Sequence, residues 1–540
     1  MDAESLCRRG VDAAARGRLE DAFGLFQQAL ERDPRHLDAR LNAARLLLAH
    51  DYRGDAIELL LRGFKTQARD PRLRHALAAA LEGFPLEEAG PAVRGVLLDL
   101  CLDDTIATQA LADAVMGLAR HAPGFPAPAS FTRDPLFAAV LERGIVNDEA
   151  VERALTALRA DLLFGRAQDV PQEFVCALAR QCFNNEYAWA ATPEEQRAAS
   201  ALRPADEAGL ARVALYRPLH RIEGLRETAA PSPAFERLWR AQVAEPREEA
   251  GIAAQIAALT PVRAGVSSAV RAMYEENPYP RWLTVLRPPA QTLEQGAPRR
   301  ILVAGCGTGQ HPVQVALRFP ESEVLAVDLS RASLAYAARM ARRFGAANLR
   351  FGQADILELG RLPGRFDVVE SLGVLHHLED PIAGWRVLAG LLADDGLMRI
   401  ALYSERARQP LRAAREHLAG LNLPDGAEGI RIGRRAILDL PAGHPGRAAA
   451  QSDDFFSASG FRDLLLHVQE QGYTPARIAE VLDLLGLRFR GFDAPPAVAA
   501  AFMAEARDPS ALLDLRAWDR FESRFPESFR AMYFFTCSRA

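Results

Sequence analysis

Between Leu6 and Leu48 apolar residues recur at helical spacing, with breaks at Gly17-Arg18 and at Asp33-Pro34. This pattern predicts short helices folded back on one another. From about residue 86 to about residue 262 the chain stays helix-rich, with loops expected at 122–126 and around Pro204. A polar-aromatic cluster at 181–187 interrupts that pattern and reads as a satisfied helix end, or else as a surface facing a neighbouring domain. After residue 262 the periodicity changes. Short β-branched or leucine-rich runs at 301–304, 324–327, 349–351, 366–369, 397–403, 487–492 and 532–537 alternate with helical segments, the pattern of a mostly parallel α/β sheet. The long gap between the fifth and sixth runs predicts a helical insertion at 405–485, lying over the active edge of the sheet as a substrate cap.

Composition narrows the functional classes. A chain of 540 residues, 49% apolar and 25% charged, has room for about two to four well-buried domains and is too apolar to remain disordered. A net charge of −5 supplies no overall attraction for a nucleic-acid backbone or an anionic membrane, so neither is expected as a partner. Of the 65 basic residues only Lys65 is a lysine, and no phosphate loop surrounds it. Enzymes that need a lysine for a Schiff base, a phosphate loop or a kinase-type site are thereby excluded. The six cysteines are scattered without CxxC or Cys/His ligand spacing, so neither a structural zinc site nor a disulfide scaffold is expected, and no metal is assigned. The opening residues lack the apolar core of a signal segment and no stretch has the length of a membrane span, which points to a cytoplasmic protein.

Gly10, Ala22, Phe26, Ala29 and Pro34 fall at the small, small, large, small and proline positions of a tetratricopeptide repeat, which this stretch resembles. Small residues there let two helices approach, Phe26 fills the groove and Pro34 stops the second helix. A second Asp-Pro pair, Asp70-Pro71, follows 37 residues after the first, and Ala56 and Leu60 repeat the Ala22/Phe26 relation. Residues 1–85 are therefore read as two repeats, the second degenerate; an ordinary pair of helical hairpins is the alternative. Residues 86–262 form a helical middle segment of no assigned role, and 263–540 the α/β domain.

The chemistry concentrates after the first strand. Gly305-Cys306-Gly307-Thr308-Gly309 is a glycine-rich turn between a buried strand and a helix beginning near His311. Glycines there allow positive φ, and a ligand can lie against the backbone at a partly positive helix N-terminus. Gln310 stands where a dinucleotide fold would place its third glycine. Asp328 ends the second strand, 19 residues after Gly309, where a carboxylate can accept bonds from both ribose hydroxyls. Asp355, just past the third strand, is placed to hold the exocyclic amine of adenine, and the fourth strand runs into Leu375-His376-His377-Leu378.

In this order and spacing the motifs resemble those of the class I S-adenosylmethionine-dependent methyltransferases, over roughly residues 262–540. The resemblance implies a Rossmann-like seven-stranded fold, S-adenosyl-L-methionine as cofactor, and a donor site that also includes Leu329 and Ile356. Val303 departs from the family, which often has an acid there for the methionine ammonium; another group must hold it. The upstream segment 273–282, rich in aromatics and proline, is read either as a lid that brings Arg281 to the methionine carboxylate or an anionic substrate, or as a strap on the sheet edge.

Methyl transfer from a sulfonium needs alignment and water exclusion, and a base only if the acceptor must lose a proton. The candidate bases are Glu370, His376, His377 and Tyr403, the histidines first because imidazole titrates near neutrality; packing and loop-binding histidines are the plain alternative. Asp463 and His467 share a helix face that either lines the acceptor pocket or is ion-paired. Three functions remain open: methylation of a protein or peptide recruited through the repeats, methylation of a small molecule with the helical half serving dimerisation or pocket closure, and a non-enzymatic interaction protein.

Overall fold

Helices Ala3–Ala15 and Leu19–Arg32 meet where Gly10 lies under Phe26: a Cβ at position 10 would sit 2.5 Å from the Phe26 ring. Ala22, Phe26 and Ala29 are fully buried there, so the small-large-small pattern acts as read. Helices Leu37–Ala49 and Arg53–Gln67 form the next hairpin, with Ala56 and Leu60 buried and Arg40 spanning it by donating to the Leu59 carbonyl at 2.8 Å and the Pro34 carbonyl at 2.6 Å. Pro34 lies in the turn after Arg32. Pro71, by contrast, opens helix Pro71–Leu81 behind the capping carboxylate of Asp70 rather than closing one.

The computed structural model describes residues 1–204, 206–225, 231–285, 287, 290–530 and 532–540. It divides into two units, Met1–Gln181 with Pro193–Leu215, and Cys182–Thr192 with Tyr216–Ala540. The first is all-helical. The second is built on seven strands: β1 (Arg300–Ala304), β2 (Glu323–Asp328), β3 (Leu349–Gln353), β4 (Phe366–Leu372), β5 (Leu392–Leu402), β6 (Leu487–Phe492) and β7 (Tyr533–Arg539). Their order is β3-β2-β1-β4-β5-β7-β6. The first five are parallel, with Leu302 opposite Leu325 and Val369, and β7 runs antiparallel between β5 and β6. Parallel strands covered on both faces read as continuous apolar runs. The core on one face contains Trp385, Ile400 and Trp518, that on the other Val303, Met340 and Phe344.

The division differs from the expected boundary at 262/263. Helix Glu245–Gln255 belongs with the sheet because Arg339 on helix Arg331–Phe344 donates to Glu249 at 2.8 Å and lies 3.5 Å from Glu245, while Ile252 and Ile256 pack on Leu334 and Ala335. The chain then pairs with the edge of β3, Leu259 N–H donating to the Gln353 carbonyl and Gln353 N–H to that of Ala257. So brief a pairing leaves no periodic trace in the sequence. Between β5 and β6 the expected helical insertion is present as helices Gln409–Ala419, Gly426–Leu438 and Ala458–Leu465. The last helix of that span, Pro475–Leu485, instead buries Ile478, Val481 and Leu482 in the core of the sheet. Residues 185–188 are part of this unit and hold the insertion: Ala458 N–H donates to the Asn185 carbonyl, Ser459 N–H to Glu186 Oε2 at 2.6 Å, and Arg434 to the Ala188 carbonyl at 2.9 Å. The 181–187 cluster thus does more than end a helix. Among the described residues no helix is long and apolar enough to cross a membrane.

Candidate active site

A cavity of about 310 Å³ lies at the carboxyl ends of β1, β2, β4 and β5. Gly305 and Gly307 make its floor, with φ of +76° and +52°, values that disfavour any residue with a side chain. A Cβ on Gly305 would meet Val374 Cγ1 at 2.4 Å, and one on Gly307 the Tyr279 carbonyl oxygen at 2.7 Å. Gly305 and Cys306 donate their N–H groups to the Val327 carbonyl at 2.8 and 3.0 Å, tying the turn to the end of β2. Asp328 Oδ2 accepts the Gly307 N–H at 2.8 Å and Oδ1 that of Ser330 at 2.9 Å. Burial raises the Asp328 pKa, and these backbone donors oppose that rise.

Of the expected donor residues, Gly305, Cys306, Gly307, Asp328, Leu329 and Ile356 line the cavity. Four do not. Thr308 is fully buried; its hydroxyl donates to the Pro280 carbonyl and its own carbonyl accepts the Trp282 indole N–H at 2.9 Å, so it ties the 273–282 strap to the turn. Gly309 packs against helix Arg331–Phe344, its missing Cβ leaving room for Ala337. Asp355 is fully buried, and its carboxylate accepts the N–H groups of Arg263 at 3.1 Å and Leu357 at 3.0 Å, so it organises the backbone rather than facing the cavity. Arg281 lies over the rings of Phe183 at 4.7 Å and Tyr336 at 5.7 Å, away from the lining it was expected to join. The strap contributes Tyr274, Tyr279 and Pro280 to the wall instead.

The four candidate bases separate in the same way. His377 and Tyr403 line the cavity; His376 and Glu370 do not. Glu370 is buried and accepts from His311 at 2.6 Å and Arg399 at 3.2 Å. Burial would raise its pKa, but these partners bring it below the ordinary value. It therefore positions His311, a cavity residue that sequence reading placed only as a helix start. His376 is fully buried with its ring 3.9 Å from that of Tyr403, and burial holds its pKa well below the ordinary value. His377 Nδ1 lies 2.7 Å from the Gln469 carbonyl and must be its donor, which leaves Nε2, 3.1 Å from His376 Nε2, as the acceptor. Burial lowers its pKa to about 3. With that nitrogen engaged by His376, His377 is a neutral wall rather than a free base.

Asp463 and Asp454 are the acids that long-range packing brings in. Asp463 lines the cavity and is buried; Oδ1 accepts from the Tyr274 hydroxyl at 2.6 Å and Oδ2 from that of Tyr403 at 3.5 Å. Asp454 accepts from Tyr279 at 2.9 Å, and burial together with neighbouring Asp463 pushes its pKa up to about 7. His377, Asp463 and His467 each offer a ligand atom within 4.8 Å of the others. The two imidazoles, however, stack 3.6 Å apart at 23°, and both Nδ1 atoms engage the backbone of Gln469. In-plane lone pairs on nearly parallel rings do not converge at metal–nitrogen distances of about 2.0–2.1 Å, so the trio is a stacked wall and not a ligand set.

Residues 302–398 match the family model described as a methyltransferase domain, and residues 13–81 that described as a tetratricopeptide repeat. An uncharacterized protein of Synechococcus sp. is 32% identical over 253 residues, 42% of this chain and 60% of the relative. The trans-aconitate 2-methyltransferase of Deinococcus radiodurans is 41% identical over 96 residues, 17% of this chain and 34% of the relative. Among solved structures, PKMT2 from Rickettsia typhi in complex with AdoHcy is 18% identical, covering 45% of this chain and 48% of that one at a TM-score of 0.35. The chain spans less than two thirds of the length of each. It carries a methyltransferase domain on its sheet and a tetratricopeptide repeat near its N-terminus.

Proposed function

We propose that this chain is an S-adenosylmethionine-dependent methyltransferase whose acceptor is a protein or peptide engaged through the repeats. The observation that carries the reading is the joined turn of Gly305 and Gly307 with Asp328: a backbone floor and a carboxylate meet at adjacent strand ends in one cavity. The residues fit the donor. Leu329, Ala354 and Ile356 give apolar contact for a purine, and Asp328 retains lone pairs beyond its backbone bonds for ribose hydroxyls. The donor supplies an activated methyl group on a sulfonium. The protein's share is alignment and exclusion of water, worth several kcal/mol in such displacements. Tyr274, Tyr279 and Pro280 perform that exclusion from the strap side.

The matched repeat supports a macromolecular acceptor, since concave repeat surfaces bind peptides. A groove of about 1000 Å³ in the N-terminal unit supports it further, for Glu20, Asp21, Asp55 and Glu58 line it. A small-molecule acceptor is the second reading, favoured by the relative named for trans-aconitate.

Calorimetry of the full chain tests the donor assignment. S-adenosylhomocysteine should give binding heat, and NAD or FAD none. Asp328→Ala should weaken the homocysteine complex about 30-fold, the loss of roughly 2 kcal/mol expected for a charge-assisted hydrogen bond. Heat with a dinucleotide and none with S-adenosylhomocysteine overturns the reading.

A further inference from the structure

Resting on the methyl-transfer reading, we propose that the acceptor is a protonated amine, bound with its ammonium against Asp463 between Tyr274, Tyr403 and His377. In a chain with 65 basic residues, the described lining of this cavity contains no arginine or lysine, yet includes two carboxylates, Asp328 and Asp463. Asp328 is committed to the glycine turn and the ribose end. Among the described residues, Asp463 is buried with only tyrosine hydroxyls as side-chain hydrogen-bond partners, and Asp454 beside it has only Tyr279. Arg408, whose charge acts on both carboxylates, is already occupied. Arg408 lies 3.6 Å from the Tyr403 ring centre and holds Glu470 through two bonds of 3.1 and 3.0 Å, with Arg415 on the same Glu470 at 2.6 Å.

Buried carboxylates without a counter-ion are costly unless a cation arrives with the ligand. Beside Asp463, His467 Nε2 is also buried without a partner, a polar position the protein leaves open within the same 4.8 Å group. An anionic acid acceptor, such as the one the Deinococcus relative is named for, would meet no arginine or lysine in the described lining.

The step balances as follows. The ammonium N–H gives its proton to the Asp463 carboxylate, which becomes a neutral acid, a direction that burial of Asp463 favours. The freed nitrogen lone pair forms the N–C bond as the C–S bond breaks. That electron pair stays on sulfur, the sulfonium becomes a neutral thioether, and the product leaves as a methylated ammonium. Asp463 returns its proton to water once the product is gone.

The test uses the full chain, tritiated S-adenosylmethionine and cell extract, either untreated or with its amines acetylated. Label should enter untreated extract, survive mild base that cleaves methyl esters, and fall at least tenfold after acetylation; size fractionation assigns it to protein or small amines. Asp463→Asn should cut transfer at least 100-fold while the dissociation constant for S-adenosylhomocysteine changes less than twofold, which also reports folding. Base-labile label, or label undiminished by acetylation, overturns the amine acceptor while leaving methyl transfer standing. A matching loss of S-adenosylhomocysteine affinity in Asp463→Asn overturns it too, since the carboxylate would then serve the donor's ammonium. Absence of S-adenosylhomocysteine binding in the unaltered chain overturns the underlying methyl-transfer reading.

Discussion

Gly305 and Gly345 share a left-handed backbone, φ +76° and +78°, but not a neighbourhood. A Cβ at 345 would enter open space, whereas one at 305 would strike Val374 at 2.4 Å. Gly345→Ala should therefore cost only the left-handed penalty of about 1 kcal/mol. Gly305→Ala adds a steric clash on the cavity floor and should weaken S-adenosylhomocysteine by at least tenfold besides lowering the melting midpoint. Calorimetry and thermal melting of the two variants separate these effects. Equal loss of affinity in both would remove the role assigned to the floor. At this scale Gly305, Gly307 and Asp328 were legible from the chain because they act through backbone geometry and strand position. Thr308, Gly309, Asp355 and Arg281 were not. Each has the expected type and place, but partners distant in sequence turn it to structural work, as Pro280 does with Thr308.

The insertion between β5 and β6 couples its charge to pH. Asp454, accepting from the Tyr279 hydroxyl in the strap, has its pKa raised by burial and by Asp463 from 3.8 to about 7. Between those values the folded state keeps a proton that the unfolded chain releases, so this group's contribution to stability is full below about 4 and is lost as pH rises to about 7, on the order of 1.4 kcal/mol per unit. His377 and His467, both lowered to about 3 by burial, act in the opposite direction: their contribution is lost as pH falls below 6.5. In Asp454→Asn the histidine contributions persist. The difference in melting midpoint, variant minus unaltered chain, should therefore grow in the variant's favour between pH 4 and pH 7. A flat difference would show that Asp454 is not held protonated. The strands were legible at this scale because both faces of the parallel sheet are covered and each strand reads as an apolar run. Helix Pro475–Leu485 was assigned to the insertion because amphipathic spacing does not say which surface a helix covers.

Each of the two units has its own core, and the groove in the N-terminal one is acidic on balance. Arg18 pairs with Asp21 at 3.5 Å and Arg62 with Glu58 at 2.6 Å, so Glu20 and Asp55 carry its remaining charge. If the repeats recruit the acceptor, Glu20→Arg combined with Asp55→Arg should lower methylation of macromolecular acceptors several-fold and leave S-adenosylhomocysteine affinity unchanged. Undiminished labelling of the protein fraction would favour the small-molecule reading.

What the amino-acid order determined unaided is local: the helical hairpins, the strand positions, the glycine turn and the acid that ends β2. Each follows from backbone sterics and burial periodicity over a few residues. Tertiary structure alone decided which side chains face the cavity. Tyr274 and Asp463 bond across 189 positions of chain, and Arg434 reaches Ala188 across 246. No short-range pattern encodes whether a carboxylate is buried, what it bonds or which cation it lacks, because those are set by elements that meet only when the chain is folded.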